Sequence, residues 1–299
     1  MTLRRKDMLY TIHNERIEIT VTDMGAELQS IRNLKNGKEY LWQGDPRFWT
    51  GRAYNLFPIC GRLFEGKYTY RGKTYEMNLH GFARKTQYEM VDCQDQSITF
   101  RLLSDEKLKE QYPFDFELLL TYTLNNNTIE TAFAVKNTGE NDLIFAVGGH
   151  PGFRIPVEDG LDLNDFYLAF DEPASAQAIV MSDSCLYTGK MIDFPLRDEK
   201  YLNLQHDMFD HDAIFLHGMS HGVTLRSDKT EDAVHLSYPD MQYLGLWHAP
   251  KTNAPYICLE PWYSIPADDG VVDDLETKRD MIHLAPKKIY HNTFTISIQ

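Results

Sequence analysis

Apolar residues recur at every second position along most of the chain, a period that admits strands and disfavours helices. Ile17, Ile19 and Val21 alternate with Glu18, Thr20 and Thr22. Phe116, Leu118, Leu120, Tyr122 and Leu124 share one face of a long run. Asn125, Asn126 and Asn127 follow, and then Ile129, Thr131, Phe133 and Val135 resume the alternation. This predicts a long antiparallel hairpin closed by an asparagine-rich turn, since asparagine tolerates the left-handed backbone of tight turns. Tyr68 and Tyr70 lead through Arg71-Gly72 into a second short strand over 74–77, and Ile98, Phe100 and Leu102 alternate. So do Val223 and Leu225, and Phe294, Ile296 and Ile298. Helical patterning is confined to 104–111, with Ser104 as the expected N-cap, and to 274–282. Neither stretch is long enough to cross over between parallel strands, so an all-β antiparallel sandwich or barrel with few short helices is expected. No linker, repeat or low-complexity tract divides the 299 residues, and a single domain over 1–299 is expected.

Charge narrows the partners. Lys plus Arg is 30 and Asp plus Glu is 44, a net charge of −14. Such a chain repels phosphate backbones at long range, so nucleic acid is not an expected partner. No run approaches the roughly 20 apolar residues of a membrane span, and no basic amphipathic stretch suits an anionic membrane surface. Residues 1–7 lack an apolar leader core, which gives a cytoplasmic expectation. Cys60, Cys93, Cys185 and Cys258 have neither zinc-knuckle nor redox-pair spacing, and read as free thiols.

Some motifs imitate chemistry. Gly218-Met219-Ser220-His221-Gly222 fits the serine-hydrolase elbow, but that device needs a strand turning into a helix. Strand-like residues flank it on both sides, so a hairpin turn is expected. The 11 histidines include no H-E-x-x-H motif, and no metal site is expected.

Four other segments place a polar side chain where a strand meets a glycine- or proline-rich turn. Arg62 ends Phe57-Pro58-Ile59-Cys60-Gly61-Arg62, and His80 opens His80-Gly81-Phe82-Ala83-Arg84. His150 lies in Gly149-His150-Pro151-Gly152-Phe153, and Glu260 in Leu259-Glu260-Pro261-Trp262. Glu260 follows a largely apolar run, so it should be partly buried with a raised pKa. The proline after it suggests a sheet end or edge. Taken singly, a salt-bridged glutamate and satisfied buried histidines are the simpler readings.

Together these four segments resemble the aldose 1-epimerase (galactose mutarotase) family, in its LacX-like branch, and they occur in that family's order. The resemblance implies a large antiparallel β-supersandwich that interconverts the α and β anomers of a free aldohexose, galactose or glucose above all, without a cofactor. It implies Glu260 as base, His150 as acid, His80 as a second histidine near the ring oxygen, and Arg62 and Asp212 as sugar-binding groups, with Asp210 competing for the last position. An imidazolium at His150 beside an ionised Glu260 is the expected charge state. Cys60-Gly61-Arg62 and His80-Gly81-Phe82 depart from the better-known galactose enzymes and leave the sugar open. A sugar phosphate meeting Arg84 and a non-catalytic carbohydrate-binding or regulatory role on the same fold are the alternatives. Trp247 and Trp262 are candidate sugar platforms or core residues.

Overall fold

The computed structural model describes residues 7–155 and 160–299. The reading of a missing leader rests mostly on residues 1–6, which lie outside them.

Two large antiparallel sheets carry the fold. The first has nine strands, in the order Tyr201–Asn203, Tyr167–Phe170, Gly222–Arg226, Ala233–Ser237, Ile289–Ile298, Thr128–Asn137, Phe116–Asn125, Ser97–Leu103 and Glu89–Gln94. The second has seven, in the order Tyr187–Asp193, Gln177–Met181, Ile214–His217, Tyr243–Trp247, Tyr256–Trp262, Gly148–Arg154 and Ala53–Leu56. The inner face of each is built by alternation. In Phe116–Asn125 every residue of the predicted apolar face is buried while its neighbours are half-exposed. Its hairpin pairs Asn125 with Thr128, leaving Asn126 and Asn127 as the turn, with Asn126 at φ 54°. The Arg71-Gly72 turn forms as expected, both residues having positive φ.

Gly149 shows how closely the sheets meet. It faces inward from Gly148–Arg154, and a Cβ there would lie 2.7 Å from the Phe294 ring of the opposite sheet. The next residue, His150, therefore faces outward. One small residue thus closes the sandwich and sends a histidine to its outer surface.

Three local expectations fail. The short helix Glu106–Gln111 is capped by Asp105, whose carboxylate accepts the Leu108 N–H at 2.7 Å. Ser104 instead uses its hydroxyl to accept the Phe116 N–H, which fixes the chain's entry to the next strand. Residues 274–281 form turns, with Asp274 bridged to Thr69, and Ile282 begins a short strand. The segment 218–221 is not a hairpin turn. Ile214–His217 belongs to the seven-stranded sheet and Gly222–Arg226 to the nine-stranded one, so the segment carries the chain between sheets. No helix among the described residues is long and apolar enough to cross a membrane.

Replacing Gly149 by alanine should overpack the sandwich and cost about 1–3 kcal/mol of stability. An unchanged urea midpoint for Gly149→Ala would contradict this account of the interior.

Candidate active site

The outer face of the seven-stranded sheet carries a row of cross-strand neighbours. Phe215 pairs with Gly245, Gly245 with Glu260, and His150 with Tyr54. Between Tyr256–Trp262 and Gly148–Arg154 the register is Gly148 with Trp262 and Gly152 with Cys258. That register sets His150 opposite Glu260. The ladder opens there because Pro151 and Pro261 have no N–H to donate. Glu260 therefore lies on a central strand, not at a sheet end or edge. Pro261 is accommodated by the opening opposite His150, not by an edge position.

Same-face neighbours across a ladder are within side-chain reach. His150 Nε2 lies 3.3 Å from a Glu260 carboxylate oxygen. Glu260 is 1% exposed, His150 7% and His80 6%. Gly245 makes room for the carboxylate, since a Cβ at 245 would lie 3.1 Å from the Glu260 Cβ. Trp49 stacks on the His150 ring at 4.9 Å, and Trp247 meets its edge at 5.7 Å. The His150 Nδ1 is buried without a hydrogen-bond partner.

His80 enters from a loop. Its φ of 62° is left-handed, a conformation that costs a non-glycine residue on the order of 1–3 kcal/mol. Gly81 follows at φ 72° and passes so close to the Phe57 carbonyl that a Cβ would lie 2.2 Å from its oxygen. Two hydrogen bonds hold the loop. The His80 N–H donates to the Gly61 carbonyl at 2.8 Å, and the Gly61 N–H donates to His80 Nδ1 at 3.1 Å. Since Nδ1 accepts, the proton of the neutral ring is on Nε2. The His80 ring stands edge-on to both His150, at 5.4 Å, and Trp262, at 5.3 Å. Arg62 follows Gly61, and its carbonyl accepts the Ala267 N–H at 2.8 Å. The buried Lys278 braces the same loop by donating to the Ile265 carbonyl at 3.0 Å.

Asp212 sits in a turn at φ 80°, which turns its carboxylate to the sheet face. One oxygen accepts the Trp247 indole N–H at 2.7 Å and the other the Cys185 thiol at 2.8 Å. Asp210 ends the short turn His206–Phe209 and is not among the residues around the cleft. Neither aspartate is on a strand, so strand periodicity had no bearing on the choice between them.

Glu260, His150, His80, Arg62 and Asp212 line one cleft of about 550 Å³. Trp247 and Trp262 line it too, Trp262 being packed on Phe215 at 4.5 Å as well. Trp49, Tyr54, Cys185 and Lys85 complete walls that the sequence reading did not anticipate. Tyr54 is the half-exposed residue between buried Ala53 and Asn55 on the strand Ala53–Leu56, and it directly precedes the Asn55–Leu63 segment that the sequence singles out.

Burial sets the charge state. It pushes the Glu260 carboxyl well above its usual range, helped by the negative charge of Asp212. It also draws the His150 imidazole down to about 3, and holds His80 well below an ordinary histidine. Burial thus favours the neutral form of both Glu260 and His150 over the imidazolium–carboxylate pair expected from proximity. Desolvation outweighs mutual attraction because two charges are expensive to bury and a neutral hydrogen-bonded pair is not.

One group among the described residues could hold a metal. Ligand atoms of His150, Cys258 and Glu260 lie within 4.8 Å of one another. Burial keeps the Cys258 thiol protonated, which opposes ligation. The four cysteines are free thiols, as expected.

Comparisons with known proteins agree on one lineage. The aldose 1-epimerase family profile matches residues 8–279. The chromosomally encoded protein LacX of Lactococcus lactis subsp. lactis is 33% identical over 303 residues, covering 97% of this chain and 99% of the relative. A galactose mutarotase related enzyme from Lactobacillus acidophilus superposes with a TM-score of 0.92 at 36% identity, covering 98% of this chain and 97% of that one. A galactose mutarotase-like protein from Lactobacillus casei gives a TM-score of 0.92 at 28% identity, covering 98% and 100%. With the profile running through all four segments and the relatives matching end to end, this chain belongs to the aldose 1-epimerase family.

Proposed function

We propose that the protein interconverts the α and β anomers of an aldohexose, with Glu260 and His150 moving the protons. The observation that carries this reading is the buried pair itself, 3.3 Å apart at the floor of a cleft. Anomer exchange needs a base at the C1 hydroxyl and an acid at the ring oxygen, two atoms bonded to the same carbon. A close acid–base pair suits that separation.

The bound sugar begins the reaction by changing the pair's charge state. A C1 hydroxyl donating to Glu260 favours its ionised form, so its proton passes to His150 with no change in net charge. Glu260 then takes the C1 hydroxyl proton. The C1–oxygen double bond forms, the bond from C1 to the ring oxygen breaks, and that oxygen takes the proton from His150 Nε2. The open chain rotates about C1–C2. The C5 hydroxyl adds to the other face, returning its proton to His150, while Glu260 protonates the new C1 oxygen. His80 Nε2–H supplies a fixed hydrogen bond near the ring oxygen. Arg62 and Asp212 hold hydroxyls through charge-assisted bonds.

Glu260→Gln keeps the shape but removes the base, and should lower kcat at least ~100-fold; His150→Asn should do likewise. Two-dimensional NMR exchange between pure anomers measures both. Near-parental turnover by Glu260→Gln would remove these residues from the chemistry, and sugar binding with no acceleration by the parent would leave only a binding protein.

The pH profile follows from the pair acting as one unit that carries one proton. On the acid side a second proton must go to His150, whose pKa burial has drawn down to about 3, so this limb should fall well below 6.5. On the alkaline side the last proton must leave Glu260, which burial and Asp212 resist, so this limb should rise well above 4.5. The rate, corrected for solvent-catalysed exchange, should be flat between these two limbs. An acid limb at the ordinary histidine value would contradict it.

Exchange should also survive prolonged chelation, because the pair needs no Lewis acid. Loss with EDTA and recovery with zinc would instead make His150, Cys258 and Glu260 a metal site.

A further inference from the structure

The two cleft histidines are held in different ways. The His80 ring accepts a hydrogen bond at Nδ1 from the Gly61 N–H, at 3.1 Å. Among the described residues the buried His150 Nδ1 has no such partner, and its Nε2, 3.3 Å from Glu260, carries the ring's polar contact. A catalytic imidazole is ordinarily oriented, and its charged form supported, by a hydrogen bond at the second nitrogen. His150 does without one.

Aromatic rings stand in its place. The Trp49 indole lies over the His150 ring with centroids 4.9 Å and planes 27° apart, while Trp247, His80 and Tyr54 stand steeply to that ring at 5.7, 5.4 and 6.0 Å. Trp49 is also stacked on Tyr256 at 5.8 Å and 29°, so the indole lies flat along the sheet. Two glycines make room for it. A Cβ at Gly152, on the same strand face as His150, would lie 2.9 Å from the indole Cζ3, and one at Gly51 would lie 2.6 Å from Cζ2. Neither glycine has a positive φ, so close packing and not a turn calls for them. The backbone of Trp49 is anchored as well. Its N–H donates to the Asp45 carbonyl at 3.0 Å, and its carbonyl accepts the indole N–H of the buried Trp42 at 2.8 Å.

We propose that Trp49 is a positioning residue for proton transfer, its indole face holding the His150 ring toward Glu260 and stabilising the positive charge that the ring takes when it carries the proton. This rests on the mutarotase reading and deepens it. The face of an indole is negative, and a cation within about 6 Å of its centre is attracted, most strongly where water is excluded. A neutral imidazole gains little from that face and an imidazolium gains most, so the effect falls on a state the reaction passes through. Burial opposes the same charge, and the indole offsets part of that cost without admitting water.

Tryptophans carrying one to four ring fluorines, inserted at position 49 alone of the full-length protein, nearly keep the shape while draining charge from the face. By NMR exchange between glucose or galactose anomers, kcat should fall with each fluorine, roughly tenfold over the series, with KM unchanged within about twofold. Trp49→Leu should lose at least as much in kcat, and Trp49→Phe, which keeps a smaller face, should recover part of it. A kcat indifferent to fluorination would overturn the proposal. So would an effect confined to KM, which would make Trp49 a sugar platform instead. If the parent accelerates exchange of neither sugar, the mutarotase reading fails, and the stack is read without turnover. The His150 Cε1 proton signal, identified by its loss in His150→Asn, should be displaced by the indole ring current and return toward the free-histidine position in Trp49→Leu. A signal that Trp49→Leu does not move overturns the proposal as well.

Discussion

Everything in the cleft depends on one strand register. Gly148–Arg154 and Tyr256–Trp262 align so that a histidine and a glutamate oppose each other at the middle of a seven-stranded sheet. Ladder pairing fixes their separation more tightly than any loop could, because a one-residue slip of either strand would turn its side chain to the other face. The prolines beside them leave the ladder open at that point, and the opposing Gly245 leaves the space. The remaining groups are brought to this row. His80 comes on a strained loop tied to Gly61, and Asp212 comes on a turn tied to Trp247 and Cys185.

The same register explains the electrostatics. Mid-sheet placement under Trp49 and Trp247 excludes water, and exclusion favours the neutral form of both members of the pair. A carboxyl and an imidazole that differ only in which one carries the proton can exchange roles without bringing a new charge into the interior. The nearby Asp212 adds to the effect of burial in raising the Glu260 pKa.

Alternation made the sheets legible from sequence. The Phe116–Asn125 hairpin could be placed almost to the residue because buried and exposed positions alternate without interruption. Glu260 was legible as a buried carboxylate, but its strand was misplaced at an edge. A proline mid-sheet is intelligible only when the partner strand also lacks a donor at that point, and this is long-range information. Ser104 was read as a cap because it begins the polar run, yet Asp105 has the geometry and Ser104 serves the next strand. Trp49 and Lys85 left no trace, since a loop residue's neighbours depend on which distant strand it folds over. Family resemblance supplied the five polar groups as a set, and the cleft brings all of them together.

The central position of the pair divides labour within the molecule. Interior strands are the parts of a sheet that open least readily to solvent, whereas loops open at far lower free energy. Glu260 and His150, the proposed proton-transfer groups, are borne by interior strands, while Trp49, Lys85, His211 and Pro250 reach the cleft from outside regular strands. Loop residues around the cleft can therefore change without disturbing the register that sets His150 opposite Glu260.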